Sequence, residues 1–142
     1  YDRLVGSEMC IRDSYKTEWK VFDSKSSVAG TIDMVYKKPN GELFIFDWKR
    51  TTKLVNDIGT IIKSDFEYGY DELENLSNNS YNKYCLQQNL YKYILEDNYG
   101  EKVSSMNILV LHPRYHTYFH LQVPNLIKET EFLIRKAREK SI

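Results

Sequence analysis

Two aspartates and a lysine lie where an apolar stretch turns abruptly charged. Asp47-Trp48-Lys49 follows Leu43-Phe44-Ile45-Phe46, and Gly30-Thr31-Ile32-Asp33 precedes it by about one strand length. A carboxylate at the end of an apolar strand is costly to bury unless it is paired or holds a metal ion. Residues two apart in an extended chain share a face, so Asp47 and Lys49 point the same way, roughly 6–7 Å apart along the backbone. Two carboxylates with a lysine beside them suit a hard cation such as Mg²⁺ or Mn²⁺. Such an ion polarises a phosphoryl oxygen and lowers the pKa of a bound water, while Lys49 orients the nucleophile or steadies developing charge. That is the equipment for phosphodiester hydrolysis. The plainer alternative is an Asp–Lys ion pair closing a strand.

The hairpin between the two strands decides whether Asp33 joins Asp47. Pro39-Asn40-Gly41 lies in it, the proline suited to a first turn position and the glycine to a left-handed one. A two-residue Asn40-Gly41 turn would pair Asp33 with Trp48 and set the carboxylates on opposite faces. A three-residue loop, with Lys38 opposite Glu42, instead pairs Asp33 with Asp47. That loop is a type I turn with a glycine bulge, for which these residues are suited. The odd register is therefore expected.

The elements that must carry this hairpin follow from pattern. Strands are expected over 15–23, 28–37 and 42–49, the first ended by Ser24-Lys25-Ser26-Ser27. Leu54 to Asn79 is irregular and reads as an insertion, with sequons at Asn75 and Asn78 taken as polar loop. Ser80 or Asn82 can cap a helix to about Asp97, with Tyr84, Gln87, Tyr91, Ile94 and Leu95 at helical spacing and Asn98 and Gly100 closing it. Strands follow at 106–112 and 115–123, the latter alternating, and Pro124 opens a last helix to about Lys140. The order β-β-β, insertion, α, β, β, α describes one domain of α/β class without repeats.

Other candidates have plainer explanations. His112, His116 and His120 are four apart, yet Pro113 breaks any helix between them, so His116 and His120 are expected to face solvent. Lys37, Lys38, Arg50 and Lys53 join Lys49 in a local basic concentration that could neutralise phosphates. Tyrosines 81, 84, 91 and 93 suit helix packing, or stacking on bases. Cys85 reads as a packed thiol. No phosphate-loop motif is present, so any motor would be another domain or protein.

The 142 residues hold 20 basic and 20 acidic side chains, with 42% hydrophobic and 28% charged residues, which excludes disordered and collagen-like classes. No apolar run approaches the ~20 residues of a membrane span. Two cysteines make neither a disulfide framework nor a metal-ligand spacing, and a reduced intracellular compartment, cytoplasmic or nuclear, is expected.

The order G-x-x-D, hydrophobic strand, D-x-K, then Gln87-x-x-x-Tyr91 on a helix resembles the PD-(D/E)XK nuclease superfamily, in particular its RecB-like exonuclease branch. The resemblance spans Gly30 to Tyr91. It implies a restriction-endonuclease-like fold, a central mixed β-sheet flanked by helices, and Mg²⁺- or Mn²⁺-dependent hydrolysis of DNA in repair, recombination or replication. It further implies a DNA substrate and a helicase or other repair protein as partner. Asp33 and Asp47 would be metal ligands, with the Trp48 carbonyl as a third and Glu18, on the first strand, as a further candidate. Lys49 would be the catalytic lysine, with Gln87 and Tyr91 bracing the site or touching the DNA backbone. The competing expectation is a nucleic-acid-binding or structural module that keeps the fold without cleavage. Stretches such as FIFDWKRTTK are similar to nuclease-like proteins of large DNA viruses and of environmental sequences, a viral origin being one source the resemblance implies.

Leu4 to Ser14 resembles one reading frame of a transposase-type sequencing adapter. Residues 1–14 are therefore read as non-native and 15–142 as an N-terminally truncated nuclease-like domain. Setting aside Arg3, Arg12, Asp2, Glu8, Asp13 and Cys10 leaves 18 basic against 17 acidic residues and one cysteine. The branch usually carries an N-terminal helix with a His or Glu ligand. Its replacement by adapter-like sequence implies a missing metal ligand and puts the activity of the chain by itself in question.

Overall fold

Strands β1 (Ser14–Phe22), β2 (Ala29–Lys37) and β3 (Leu43–Lys49) are followed by helix α1 (Ser80–Asn98). Strands β4 (Val103–Val110) and β5 (Phe119–Gln122) and helix α2 (Ile127–Lys140) follow among the described residues. The structure, a computed structural model, describes residues 14–62, 73, 76 and 79–140. The adapter-like residues 1–13, Cys10 among them, and the sequons at Asn75 and Asn78 lie outside the described residues.

The sheet has the order β1-β2-β3-β4-β5. All neighbours are antiparallel except β3 and β4, which run parallel and are joined through α1. The expected mixed α/β sheet flanked by helices is therefore what the chain forms. Among the described residues no helix is long and apolar enough to cross a membrane.

The larger cluster of buried side chains joins Ile32, Val35, Leu43, Ile45, Ile108 and Val110 of the sheet to Cys85, Tyr91, Ile94 and Leu95 of α1. A second cluster, on the other face, holds Met34, Phe46 and Leu109, with Tyr36, Phe44, Trp48 and Tyr118 packed against it. β3 is thus apolar on both faces, as a central strand must be.

The element limits differ from the expected ones in four places. Helix α2 starts at Ile127 rather than at Pro124, its first turn closed by the Thr130 N–H donating to Leu126 O at 2.9 Å. The cap of α1 is Asn79 rather than Ser80 or Asn82. Its extended backbone (φ −135°, ψ 168°) lets its side chain accept the Asn82 N–H at 2.8 Å. β4 begins at Val103, where Glu96 Oε2 accepts the Val103 N–H at 2.9 Å, and it ends at Val110. β5 is shorter than expected, because after Pro113 the chain turns and Tyr115 swings inward, its hydroxyl donating to the Val55 carbonyl at 2.7 Å.

One buried ion pair ties three elements together. Asp23, fully enclosed in the β1–β2 turn, accepts Arg138 Nε at 3.1 Å and Nη2 at 2.9 Å from α2, and Asn98 Nδ2 at 2.9 Å from the end of α1. The Arg138 guanidinium holds the Asp23 carboxyl well below the usual carboxylate range.

Candidate active site where β2 and β3 part

The hairpin has the odd register. Lys38 N–H donates to Glu42 O at 2.8 Å and Gly41 N–H to Lys38 O at 2.9 Å, and Gly41 takes the left-handed conformation (φ 90°). The pairs Lys37↔Leu43, Val35↔Ile45 and Met34↔Phe46 then run up the ladder, and one step further sets Asp33 opposite Asp47. The paired region ends at Met34↔Phe46. There the Asp33 carboxylate takes over, its Oδ2 accepting the Trp48 N–H at 2.8 Å. Ile32 belongs to the larger cluster, Met34 to the second and Val35 to the larger again, so the in–out alternation of β2 slips by one across Asp33. That slip turns the carboxylate toward β3.

Asp47 and Lys49 share the face beneath α1, as their spacing requires. Lys49 Nζ is 2.7 Å from Asp47 Oδ2, accepts no partner of its own, and donates to Gln87 Oε1 at 3.1 Å. It also rests over the Tyr84 ring, 4.3 Å from its centroid. The Tyr91 hydroxyl bonds both the Gln87 side chain and the Thr31 backbone. The Q-x-x-x-Y pair therefore works as a brace: Tyr91 anchors the Gln87 amide on β2, and Gln87 holds Lys49 against Asp47. Gly30 has its reason here, since a Cβ at that position would fall on the Tyr91 ring.

Asp47 is buried, and its carboxyl is pushed up to about 6. Burial is the largest cause and the adjacent Asp33 carboxyl the next, together outweighing Lys49. The close approach of Lys49 is an ion pair without hydrogen-bond alignment, and the enclosed Asp47 Oδ2 accepts no directed donor. Burial and the two nearby carboxylates also push the Tyr91 hydroxyl up.

The donor set fits a hard divalent ion in part. Asp33 and Asp47 supply two carboxylates, one with an enclosed oxygen that lacks an aligned donor. The Trp48 C=O points to the same side as its N–H, toward β2 and Asp33, because both groups of a strand residue face one neighbour. Among the described residues no three His, Cys, Asp or Glu side chains come together as a metal-binding group. Glu18, level with Asp33 in β1 between Thr17↔Met34 and Trp19↔Ile32, is therefore not gathered with the pair. It is exposed, and its backbone has the unusual φ of 49°.

The expected basic concentration divides. Arg50 and Lys53 are exposed just beyond β3. Lys37 and Lys38 lie at the hairpin end, four or five residues from Asp33, which is about 13–17 Å along a strand. There they pair with Glu101 and Glu42, each at 3.7 Å. They do not converge on the site, because the strand that carries them runs away from it.

The three histidines do not converge either. His116 and His120 are both exposed, as expected, and His120 is in addition held by two neighbours. Its ring stacks on Phe46 at 6.3 Å and its Nε2 lies 2.7 Å from Asn107 Oδ1. Asn107 Nδ2 donates to Ile45 O and Ser105 Oγ, so Oδ1 must accept, and His120 carries its proton on Nε2. Burial pulls its pKa down. Cys85 is buried and its thiol pushed up to about 11, in keeping with a packed side chain.

Sequence reasoning missed Tyr84 as a contact of Lys49. Its place one turn before Gln87 on the same helix face was a signal for it. No protein-family model matches the chain, and no curated protein matches it.

Proposed function

We propose that the chain is a metal-dependent nuclease domain of the PD-(D/E)XK type, with the restriction-endonuclease-like fold, acting on DNA phosphodiesters. The observation that carries this reading is the meeting of Asp33 and Asp47 at the parting of β2 and β3, with Lys49 held beside Asp47 by Gln87. Asp33, Asp47 and the Trp48 carbonyl would hold Mg²⁺ or Mn²⁺, which when bound supplies positive charge against the phosphoryl oxygens. Asp33 also fixes the Trp48 peptide through its N–H, and so fixes the direction of that carbonyl. A bound ion would share with Lys49 the task of balancing the Asp47 charge. The Lys49 ammonium, steered by Gln87 and the Tyr84 ring, would then be available to steady the charge that develops on a phosphate. Tyr91 keeps β2 and α1 at the distance this requires.

A repair, recombination or replication setting, with a helicase partner, belongs to the same proposal. The second reading, a module that binds nucleic acid without cleaving it, is favoured by one observation: Asp47 already has Lys49 as an ion-pair partner, and no third ligand side chain joins the two carboxylates among the described residues.

The test combines Mn²⁺ titration by calorimetry with degradation of linear DNA in Mg²⁺ or Mn²⁺. The expected result is divalent-dependent degradation by the unaltered chain. Asp47→Ala should lose both binding and degradation. Lys49→Ala should bind Mn²⁺ and degrade DNA about 10²–10³ times more slowly, the usual cost of one charge-stabilising group. Equal degradation by all three proteins, or neither binding nor degradation by the unaltered chain, overturns the reading in favour of the binding module.

A further inference from the structure

At the carboxyl ends of β3 and β4 a cleft opens beside the Trp48 side chain, which lies on the face of the sheet opposite Asp47 and Lys49. Tyr115 of the larger cluster is also in its wall. Trp48 and Arg50 line it from the end of β3, Pro113 from the turn after β4, and Thr117 and Tyr118 from the approach to β5. We propose that this cleft receives a nucleobase of the strand whose phosphate lies at Asp33 and Asp47; the proposal rests on the nuclease reading above.

Three features carry it. The Trp48 and Tyr118 side chains pack from behind against Met34, Phe46 and Leu109, so they are set in place before any ligand arrives. A base has an apolar π-face and stacks on such rings whatever its sequence. Arg50 stands exposed at the rim, where a guanidinium complements the phosphate that accompanies a base, and the Thr117 hydroxyl supplies a polar partner for its edge. The cleft is also joined to the site by covalent structure: Trp48 lies between Asp47 and Lys49 in β3, its side chain on one face and theirs on the other. A single strand rounding the carboxyl edge of the sheet meets the carboxylates and the cleft in succession. Carboxyl edges of strands are where ligands of open α/β sheets commonly bind.

The test uses a single-stranded oligodeoxynucleotide containing 2-aminopurine, titrated with the full chain in EDTA, so that no cleavage enters the signal. The expected result is quenching of the analogue on binding. Tyr118→Ala should weaken binding at least about fivefold and abolish the quench, since a stacked base is worth that much on alanine substitution. Tyr118→Phe, which keeps the ring, should bind within about twofold of the unaltered chain. Arg50→Gln, at an exposed position, should weaken binding and lower its salt slope by about one. Quenching and affinity unchanged in both Tyr118→Ala and Arg50→Gln, or no quenching by the unaltered chain, overturns the proposal. Degradation of linear DNA by the unaltered chain in Mn²⁺ separates this outcome from that of the nuclease reading. Quenching that depends on Tyr118, in a protein that never cleaves, upholds the cleft and sinks the nuclease. Cleavage without Tyr118-dependent quenching sinks the cleft alone.

Discussion

Because burial and Asp33 push the Asp47 carboxyl up to about 6 from its ordinary 3.8, the folded chain holds that proton more tightly than the unfolded chain does. Stability from this group is therefore greatest below the ordinary value and falls as the pH rises toward 6. Two pH units correspond to at most about 3 kcal/mol. Asp47→Asn should accordingly raise the melting temperature at pH 7.5, by about 1–2 kcal/mol of stability, while abolishing divalent-dependent activity. Near pH 4, where the natural side chain is itself protonated, the two proteins should melt alike. Thermal melts across that range check this, and a less stable Asp47→Asn at pH 7.5 would show that Lys49 outweighs burial. Gly30 is the second informative residue. Gly30→Ala forces the Tyr91 ring aside and should cost about 1–3 kcal/mol, the usual range for overpacking. In a double-mutant cycle by urea denaturation, the same change made on Tyr91→Ala should cost clearly less, since the ring it would strike is gone.

Between elements, the Asp23–Arg138 pair does the joining that loops alone could not. Asp23→Ala removes the enclosed partner of Arg138, which keeps Asp97 at 2.9 Å, and should cost about 1–3 kcal/mol, read from urea denaturation. The sign of its pH dependence is opposite to that of Asp47. A depressed carboxyl contributes stability above its ordinary range and loses it as the pH falls below, so Asp23→Asn should blunt acid unfolding. Strands and helices were largely legible because their apolar periods are clear, and even the hairpin register followed from Pro39-Asn40-Gly41. What was not legible was long-range. Tyr115, distant in sequence from Val55, ends the alternating run early because its hydroxyl finds that carbonyl. His120 has a polar place in a strand, but the Asn107 partner that orders it is known from pairing across strands. Of the adjacent glutamines, Gln87 was assigned to the site through the resemblance of Gln87-x-x-x-Tyr91 to the nuclease motif. Nothing local announced that Gln88 would be enclosed with neither amide atom hydrogen-bonded.

Over the whole molecule, the chemistry-bearing residues come from two strands and one helix that the sequence separates widely, and the β3–α1–β4 crossover brings them to one end of the sheet. In the candidate site, Asp33, Asp47 and Lys49 were legible because strand face and loop length are local rules, while Gln87 and Tyr91 were reached through the resemblance of their motif. The separation of Lys37 and Lys38 from it was not, since closeness in sequence along a strand becomes distance in space. The three-residue loop at the far end of the hairpin has a further consequence. Because β3 is apolar on both faces, burial alone does not tell this strand which side to present. Loop length supplies that choice. Deleting Asn40 should leave much of the folding stability in place and yet turn Asp47 away from Asp33, so that Mn²⁺ affinity is lost while a cooperative melt survives. Retained Mn²⁺ affinity in the deletion variant would contradict this. Apart from Gly41, whose left-handed backbone favours glycine, the turn is expected to behave as a spacer in which the number of residues matters more than their kind, so that drift in chain length there would silence the site from a distance without unfolding the protein.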